Sequence, residues 1–270
     1  MNSVWPLAII TFKEGIRNRA LYGITLFALM FLIANFLISG LFMQDVGKVA
    51  VDMALSTVSF AGLLVVLFVG INLLAKDLDR KTIYIVLSRP ISRGKYIFGK
   101  FFGLGLLVVA TMMILGAFAI ASIFFIKMAY PLYFPRFSWT PVFFAIFFSI
   151  FSLLLLTSLS VLFSSFCSSS FVTLILTIIS YLIGQSLGDV KALVESPQAL
   201  GIEISSLTIK FISAAYYLFP NLSLFDLKIQ AAHNLPIPLE HMFWVLVYGI
   251  GYAVLSIFFA ALIFEKKEFP

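Results

Sequence analysis

Six long apolar runs constrain the fold of this chain, because a helix needs about 20 apolar residues to cross a lipid bilayer. Of its 270 residues, 62% are hydrophobic and 11% are charged, and a soluble domain of this length cannot bury so much apolar surface. The sequence therefore predicts an all-α polytopic membrane protein with a single transmembrane domain over residues 1–270. The six predicted spans are residues 21–43, 53–74, 97–126, 142–163, 171–187 and 243–264.

The distribution of basic residues predicts the orientation of the chain. If both chain ends lie on one side of the membrane, that side holds twelve of the 18 Lys and Arg residues, and the other side holds six. Cytoplasmic loops are enriched in Lys and Arg, so we expect both termini in the cytoplasm. The net charge of +6 follows the membrane boundaries and does not indicate a nucleic-acid partner.

Two segments outside the spans have amphipathic patterns. The pattern of residues 1–20 predicts an interfacial helix whose basic side chains lie off its apolar face. The simpler alternative is a positively charged flank before the first span. Residues 188–242 form the longest outer loop, in which we expect one or two short helices on or in the outer leaflet before the last span. The apolar stripe of residues 1–20 consists of Val4, Leu7, Ala8, Phe12 and Ile16. The stripe of the outer loop consists of Ile204, Leu207, Phe211 and Ala214.

The loop over residues 75–96 is the most distinctive polar stretch. Ile83, Val86 and Leu87 share one helical face, and Pro90 ends the helix because the residue before a proline is pushed out of the α region. This pattern predicts a short amphipathic helix at the cytoplasmic membrane surface, between the second and third spans. Seven basic residues lie in the loop and just after it: Lys76, Arg80, Lys81, Arg89, Arg93, Lys95 and Lys100.

The predicted spans contain almost no ionisable side chains, which argues against a carrier driven by protons or sodium ions. Asn35 and Gln185 are the notable polar residues at membrane depth, and interhelical hydrogen bonds explain them best.

His233 and His241, with Asp226 and Glu240 nearby, could form a two-His, one-carboxylate metal site, but their spacing matches no helical pair and histidines are common in loops. The chain has no HExxH, GxSxG or phosphate-binding glycine loop. We therefore expect no catalytic residue, metal site or cofactor in this chain.

Gly99 and Gly103 form a GxxxG pattern at the start of the third span. Glycines at this spacing allow two helices to approach closely. The pattern predicts close helix packing at this point, either within the chain or at an interface.

Three runs in and after the central loop carry a resemblance to a known family: Asp79-Arg80-Lys81-Thr82-Ile83-Tyr84, Leu87-Ser88-Arg89-Pro90-Ile91-Ser92-Arg93 and Gly99-Lys100. They resemble the cytoplasmic segment of type 2 ABC exporter permeases, in particular the branch that includes the permease of the nitrous-oxide-reductase maturation system. Weaker similarities follow in the family's order along the chain: Phe12-Lys13-Glu14, Phe219-Pro220-Asn221-Leu222 and Phe264-Glu265-Lys266-Lys267.

The resemblance implies that two permease subunits, copies or paralogues, pair in the inner membrane of a prokaryotic cell. Each subunit would dock on a cytoplasmic ATPase, which binds ATP and Mg²⁺, through a coupling helix in the central loop. A second, smaller contact would come from the cytoplasmic turn after the fourth span, through Ser165, Phe166 and Ser168. The implied coupling residues are Asp77, Asp79, Arg80, Lys81, Thr82, Ile83, Val86, Leu87, Arg89 and Pro90.

We therefore expect a permease subunit that moves an apolar or amphiphilic substrate and is not itself an enzyme. An alternative is a mechanotransmission or scaffold subunit, which uses the same ATPase but acts on a periplasmic partner through residues 188–242. A membrane enzyme is a third hypothesis, but it would need converging nucleophile, base or metal groups that the sequence lacks. The sequence leaves open the substrate, the choice between homodimer and heterodimer, and any periplasmic or additional membrane partner.

Overall fold

The computed structural model describes residues 4–41, 45–74, 92–135, 137–167, 169–195, 212, 214–216 and 218–266. These residues are mostly helical and contain no β-strand, which confirms the all-α prediction. The labelled helices are α1 (Val4–Ile16), α2 (Arg19–Ser39), α3 (Val46–Leu74), α4 (Arg93–Ala129), α5 (Thr140–Phe166), α6 (Ser170–Glu195), α7 (Lys228–Ala232) and α8 (Leu239–Lys266). All except α1 and α7 are long and apolar enough to cross a membrane, so the prediction of six spans is confirmed.

Several spanning helices are longer than the apolar runs that predicted them. α4 has 37 residues, which corresponds to about 55 Å, against a hydrocarbon core of about 30 Å. α6 continues past Asp189 and Lys191 to Glu195. Several of the apolar runs end at or near charged side chains, whereas the backbone hydrogen bonds of a helix continue through such residues. Hydropathy therefore underestimates the lengths of these helices.

The centre of the bundle consists of α3, α4 and α5, and the more exposed α2, α6 and α8 pack around it. Small residues set the distances between the central helices. Gly62 of α3 lies directly against Met112 of α4 and Leu153 of α5, and both of these side chains are buried. α3 contains a π-helical turn over Val65–Gly70 close to its end.

The contacts at the helix ends define the topology. Leu7 of α1 lies against Gly99 near the start of α4, and Arg93 at that start donates to the carbonyl oxygen of Glu265 near the end of α8. At the opposite end of the bundle, Gly47 of α3 lies against the backbone after α4. The first and last described helices therefore meet at one end, as an even number of crossings requires.

Asn35 connects α2 to α3 inside the bundle. Its side chain is fully buried, and its Nδ2 donates to the carbonyl oxygen of Ala50 at 2.9 Å. Its Oδ1 accepts a hydrogen bond from Ser39 Oγ, also at 2.9 Å. The interhelical hydrogen bond predicted for Asn35 is thus confirmed.

The Asn35→Leu variant is expected to lower the free energy of unfolding by about 1 to 2 kcal/mol, because two hydrogen bonds of a buried amide are lost. Thr111→Val is the matched control, since the buried Thr111 hydroxyl donates only to Leu107 of its own helix. Thermal unfolding of the purified proteins in detergent measures the stability of both variants. An Asn35→Leu variant no less stable than the control would contradict the assigned role.

Candidate functional site

The predicted coupling residues, from Asp77 to Pro90, lie outside the described residues. The structure does describe the two helices that they connect. α3 ends at Leu74 and α4 begins at Arg93, so the coupling segment joins two of the three central helices. A force on the segment would act directly on the centre of the bundle.

The first turns of α4 are attached to the end of α8. Arg93 Nη1 donates to the Glu265 carbonyl oxygen at 2.9 Å, and the Tyr96 ring stacks on Phe264 with 5.6 Å between centroids and 16° between planes. Lys100 is buried beside them, with its Nζ 5.9 Å from the centre of the Tyr96 ring. Arg93 and Lys100, two of the seven basic residues of the central loop and its end, therefore belong to a packed junction.

The other side of the same segment of α4 holds α1, through the GxxxG pattern. A Cβ atom at Gly99 would lie 2.7 Å from Leu7 Cβ, and one at Gly103 would lie 2.6 Å from Thr11 Cβ. The close packing therefore lies within the chain. The successive pairs are Leu7 with Gly99, Thr11 with Gly103, and Gly15 with Leu107, so the two helices run parallel in constant register.

The buried face of α1 differs from the predicted apolar stripe. Ile16 of that stripe is 39% exposed, whereas the small Thr11 and Gly15 are buried against α4. The predicted stripe shares Leu7 and Ala8 with the buried face. Hydrophobicity missed Thr11 and Gly15, because the contact with α4 depends on close backbone approach and therefore on small side chains. The buried residues of α1 are Leu7, Ala8, Thr11 and Gly15.

The Gly103→Leu variant is expected to separate α1 from α4. A Cβ at this position would lie 2.6 Å from both the Ala8 carbonyl oxygen and Thr11 Cβ, and a backbone carbonyl cannot turn away as a flexible side chain can. Spin labels at the exposed Trp5 and Phe98 report the result, as a short distance in the parent and a longer, broader one in the variant. Gly251→Leu is the control, since a Cβ atom at Gly251 would have no other atom within 4 Å. An unchanged distance in Gly103→Leu would contradict the packing.

The turn after α5 presents one of its three predicted contact residues. Phe166 is 48% exposed at the end of α5. Ser165, in contrast, is fully buried, and its hydroxyl donates to the Leu162 carbonyl oxygen at 2.6 Å. Ser168 lies outside the described residues. The sequence could not separate Ser165 from Phe166, because the helix face that each occupies depends on packing against neighbouring helices.

Residues 220–232, which the sequence assigned to the outer loop, pack into the bundle. Gly184 of α6 lies so close to the Pro220 carbonyl oxygen that a Cβ atom at this glycine would be 2.7 Å from it. The Phe225 ring fills the space left by Gly249 of α8. Phe225 is 1% exposed and also contacts Phe148 of α5, with 6.3 Å between ring centroids. We call residues 220–232 the inserted segment.

Two tyrosines of α8 hold the inserted segment and the residues just before it. Tyr248 Oη accepts a hydrogen bond from the Asn221 backbone N–H at 2.9 Å, and Tyr252 Oη donates to the Leu218 carbonyl oxygen at 2.7 Å. Asn221 Oδ1 in turn accepts from Ser223 N and Oγ. The segment is thus anchored by neutral hydrogen bonds and by buried rings.

The inserted segment brings an ion pair against three of the spanning helices. Lys228 Nζ lies 3.0 Å from Asp226 Oδ2, and the Lys228 backbone N–H donates to Asp226 Oδ1 at 3.1 Å. Around the pair is a set of polar side chains from three spanning helices, and Ser59 Oγ of α3 lies 3.3 Å from Ser149 Oγ of α5. We call this set the polar cluster: Ser59, Ser149, Ser152, Tyr181, Gln185, Asp226 and Lys228.

The polar cluster lies beside the middle of three spanning helices, and Lys228, which the sequence assigned to the outer loop, is one of its members. Ser59, Ser152 and Tyr181 lie at the midpoints of α3, α5 and α6. The sequence predicted short helices of residues 188–242 on or in the outer leaflet, but hydropathy could not predict the contacts of the inserted segment with α5, α6 and α8. One signal was available: Gly184 and Gly188 are four residues apart in α6, a spacing typical of close backbone approach.

Among the described residues, no three His, Cys, Asp or Glu side chains come together in a way that would hold a metal ion. His233 follows α7, and His241 lies in the first turn of α8. The lining of the polar cluster has Asp226 and Lys228 as its charged members, and they face each other.

Comparison with known proteins gives one family. The sequence model described as ABC-2 family transporter protein matches residues 5–269, which is nearly the whole chain. A search of curated proteins gives no match. The six spanning helices agree with this assignment. The chain therefore belongs to the ABC-2 family of transporter proteins, as a membrane component.

Proposed function

We propose that this chain is the permease subunit of an ATP-driven exporter. A separate cytoplasmic ATPase binds ATP and Mg²⁺, and two permease subunits, copies or paralogues, pair in a prokaryotic inner membrane with their termini in the cytoplasm. The substrate is apolar or amphiphilic. The resemblance of residues 79–93 to the nitrous-oxide-reductase maturation branch supports a place near that branch. The coupling contact consists of the residues named above from Asp77 to Pro90, and Phe166 adds a second contact.

One observation carries the proposal. The segment between Leu74 and Arg93 joins two central helices, and the start of α4 is held by α1 on one side and by α8 on the other. Closure of the ATPase subunits against this segment would therefore move α1, α4 and α8 together. A charged segment joined to a packed group of helices is suited to transmit such a motion.

Purification of the tagged chain from its native host tests the proposal. The membrane is dissolved in mild detergent, and mass spectrometry identifies the proteins that are retained. We expect a stoichiometric ATPase with the phosphate-binding loop of P-loop enzymes. A preparation without any ATPase, even after chemical cross-linking in the intact membrane, would contradict the proposal.

The alternative of a mechanotransmission subunit depends on residues 188–242 reaching a periplasmic partner. The inserted segment belongs to this stretch and packs against α5, α6 and α8, which leaves less of it available to such a partner. We therefore favour the exporter. ATP-dependent flux of an apolar dye into vesicles that contain the complex distinguishes the two, since a mechanotransmission subunit would produce none.

A further inference from the structure

The polar cluster carries charges that its packing does not require. The inserted segment is already anchored through Tyr248, Tyr252 and the Phe225 ring. An ion pair that is only partly exposed still costs desolvation energy, and apolar residues of similar volume often replace a buried pair without loss of stability. Ionisable side chains at membrane depth are a functional-site hypothesis by default. The Asp226–Lys228 pair therefore calls for a role in binding.

We propose that the polar cluster binds the zwitterionic head group of an amphiphilic substrate. The inference rests on the proposed exporter function and adds the substrate class. The cluster has one carboxylate and one ammonium group, so a ligand with a net charge would leave an uncompensated charge between the spanning helices. A zwitterion instead exchanges the internal pair for two external ones, with its anion on Lys228 and its cation on Asp226. The hydroxyls of Ser59, Ser149 and Ser152 and the Gln185 amide supply neutral hydrogen bonds around it.

An apolar groove lies on the other side of Phe225 and is suited to the acyl chain of the same ligand. The groove lies between α4, α5 and α8 and has a volume of about 250 Å³. Phe225 lines the polar cluster, and its ring packs on Gly249, which lines the groove. Head-group and acyl-chain sites are thus separated by a single ring. The groove is lined almost entirely by apolar residues, including Phe98, Phe102, Phe151, Ala253 and Val254.

The cluster is closed in this conformation. Its free space is about 20 Å³, which holds roughly one water molecule. A head group therefore binds only when the helices and the inserted segment around the cluster separate. The pair itself retains some accessibility, with 24% of the Lys228 side chain and 30% of the Asp226 side chain exposed.

Photo-cross-linking tests the inference on the full chain in lipid nanodiscs. The probes are lysophosphatidylcholine, which is zwitterionic, and lysophosphatidylglycerol, which is anionic, each with a diazirine on the acyl carbon nearest the head group. Mass spectrometry locates the labelled peptides. We expect the zwitterionic probe to label peptides with residues 149–152, 181–185 and 225–228 at least about tenfold more than the anionic one, as the loss of a charged contact predicts.

The double variant Asp226→Asn with Lys228→Met tests the pair without leaving a lone charge. Its labelling by the zwitterionic probe is expected to fall at least about tenfold relative to the parent. The matched control, Asp45→Asn with Lys48→Met, removes an exposed ion pair of 2.8 Å at the end of the bundle and is expected to keep the labelling. Thermal unfolding confirms that each variant is folded.

Equal labelling by the two probes in the parent protein would overturn the inference, and so would labelling that survives in the folded double variant. The comparison of the two probes uses the unchanged protein, so it remains decisive even if a variant fails to fold. The experiment needs neither ATP nor an ATPase. Its failure is therefore distinguishable from failure of the exporter proposal, which the purification experiment tests.

Discussion

In the double variant Asp79→Ala with Arg80→Ala, the amount of ATPase retained on purification is expected to fall at least about tenfold. The two side chains are proposed to contact the ATPase in a desolvated groove, where truncation of charged contacts typically costs about 2 kcal/mol or more, and each 1.4 kcal/mol is about tenfold in affinity. The amount of permease in the membrane should stay the same. Quantitative mass spectrometry of the two subunits measures the ratio.

Lys95→Ala is the matched control for this loss. Lys95 is an exposed basic residue in the first turn of α4, close to the coupling segment in sequence, and it is not assigned to the ATPase contact. The control is expected to retain the ATPase at a normal ratio. Equal retention in the Asp79–Arg80 variant and the parent would exclude these two residues from the coupling contact. Equal loss in the Lys95 variant would indicate a general effect of positive charge.

The Gly62→Leu variant is expected to lower the free energy of unfolding by about 3 kcal/mol, at the upper end of the usual cost of overpacking a core. A Cβ atom at Gly62 would lie 2.6 Å from Met112 Sδ and even closer to Leu153, and both side chains are buried at the centre of the bundle. The larger side chain must push α3 away from α4 and α5. Denaturation in mixed detergent measures the change.

Gly23→Leu is the control for Gly62→Leu. A Cβ atom at Gly23, which is on the exposed face of α2, would have no other atom within 4 Å. Leucine is a better helix former than glycine by about 0.8 kcal/mol, so this variant should be as stable as the parent or slightly more stable. Similar stabilities for the two leucine variants would contradict the close contact of the three central helices.

The elements that could be predicted from the sequence are those whose burial depends on hydropathy alone. The six spans belong to this class, because a long apolar run has no stable alternative to a membrane helix. The packing of Gly99 and Gly103 also follows from local spacing, since glycines four residues apart form a groove wherever the helix lies. The position of Asn35 follows in the same way, because a lone amide in an apolar span must find a partner.

The elements that could not be predicted depend on contacts between distant parts of the chain. Residues 220–232 begin with a proline and contain charges that indicate a loop, and Gly184, Gly188 and Gly249 on other helices make room for them. The prediction for α1 was incomplete for a related reason: it included the buried Leu7 and Ala8, but Gly15 and Thr11 are poor candidates for an apolar stripe. The coupling residues show the opposite case: the sequence pattern suggests their role, and the structure describes only the helices on either side.

Site-specific photo-cross-linking from Ile83 in living cells tests the central claim most directly. A photoreactive amino acid at Ile83 places the probe on the apolar face of the predicted coupling helix, and the same probe at Phe258, which is exposed on α8, serves as the control. We predict an adduct between the permease and an ATPase from position 83 and none from position 258. An efficient cross-link from position 83 to lipid or to other proteins, with no ATPase adduct, would contradict the assignment of this chain as an ATPase-coupled permease.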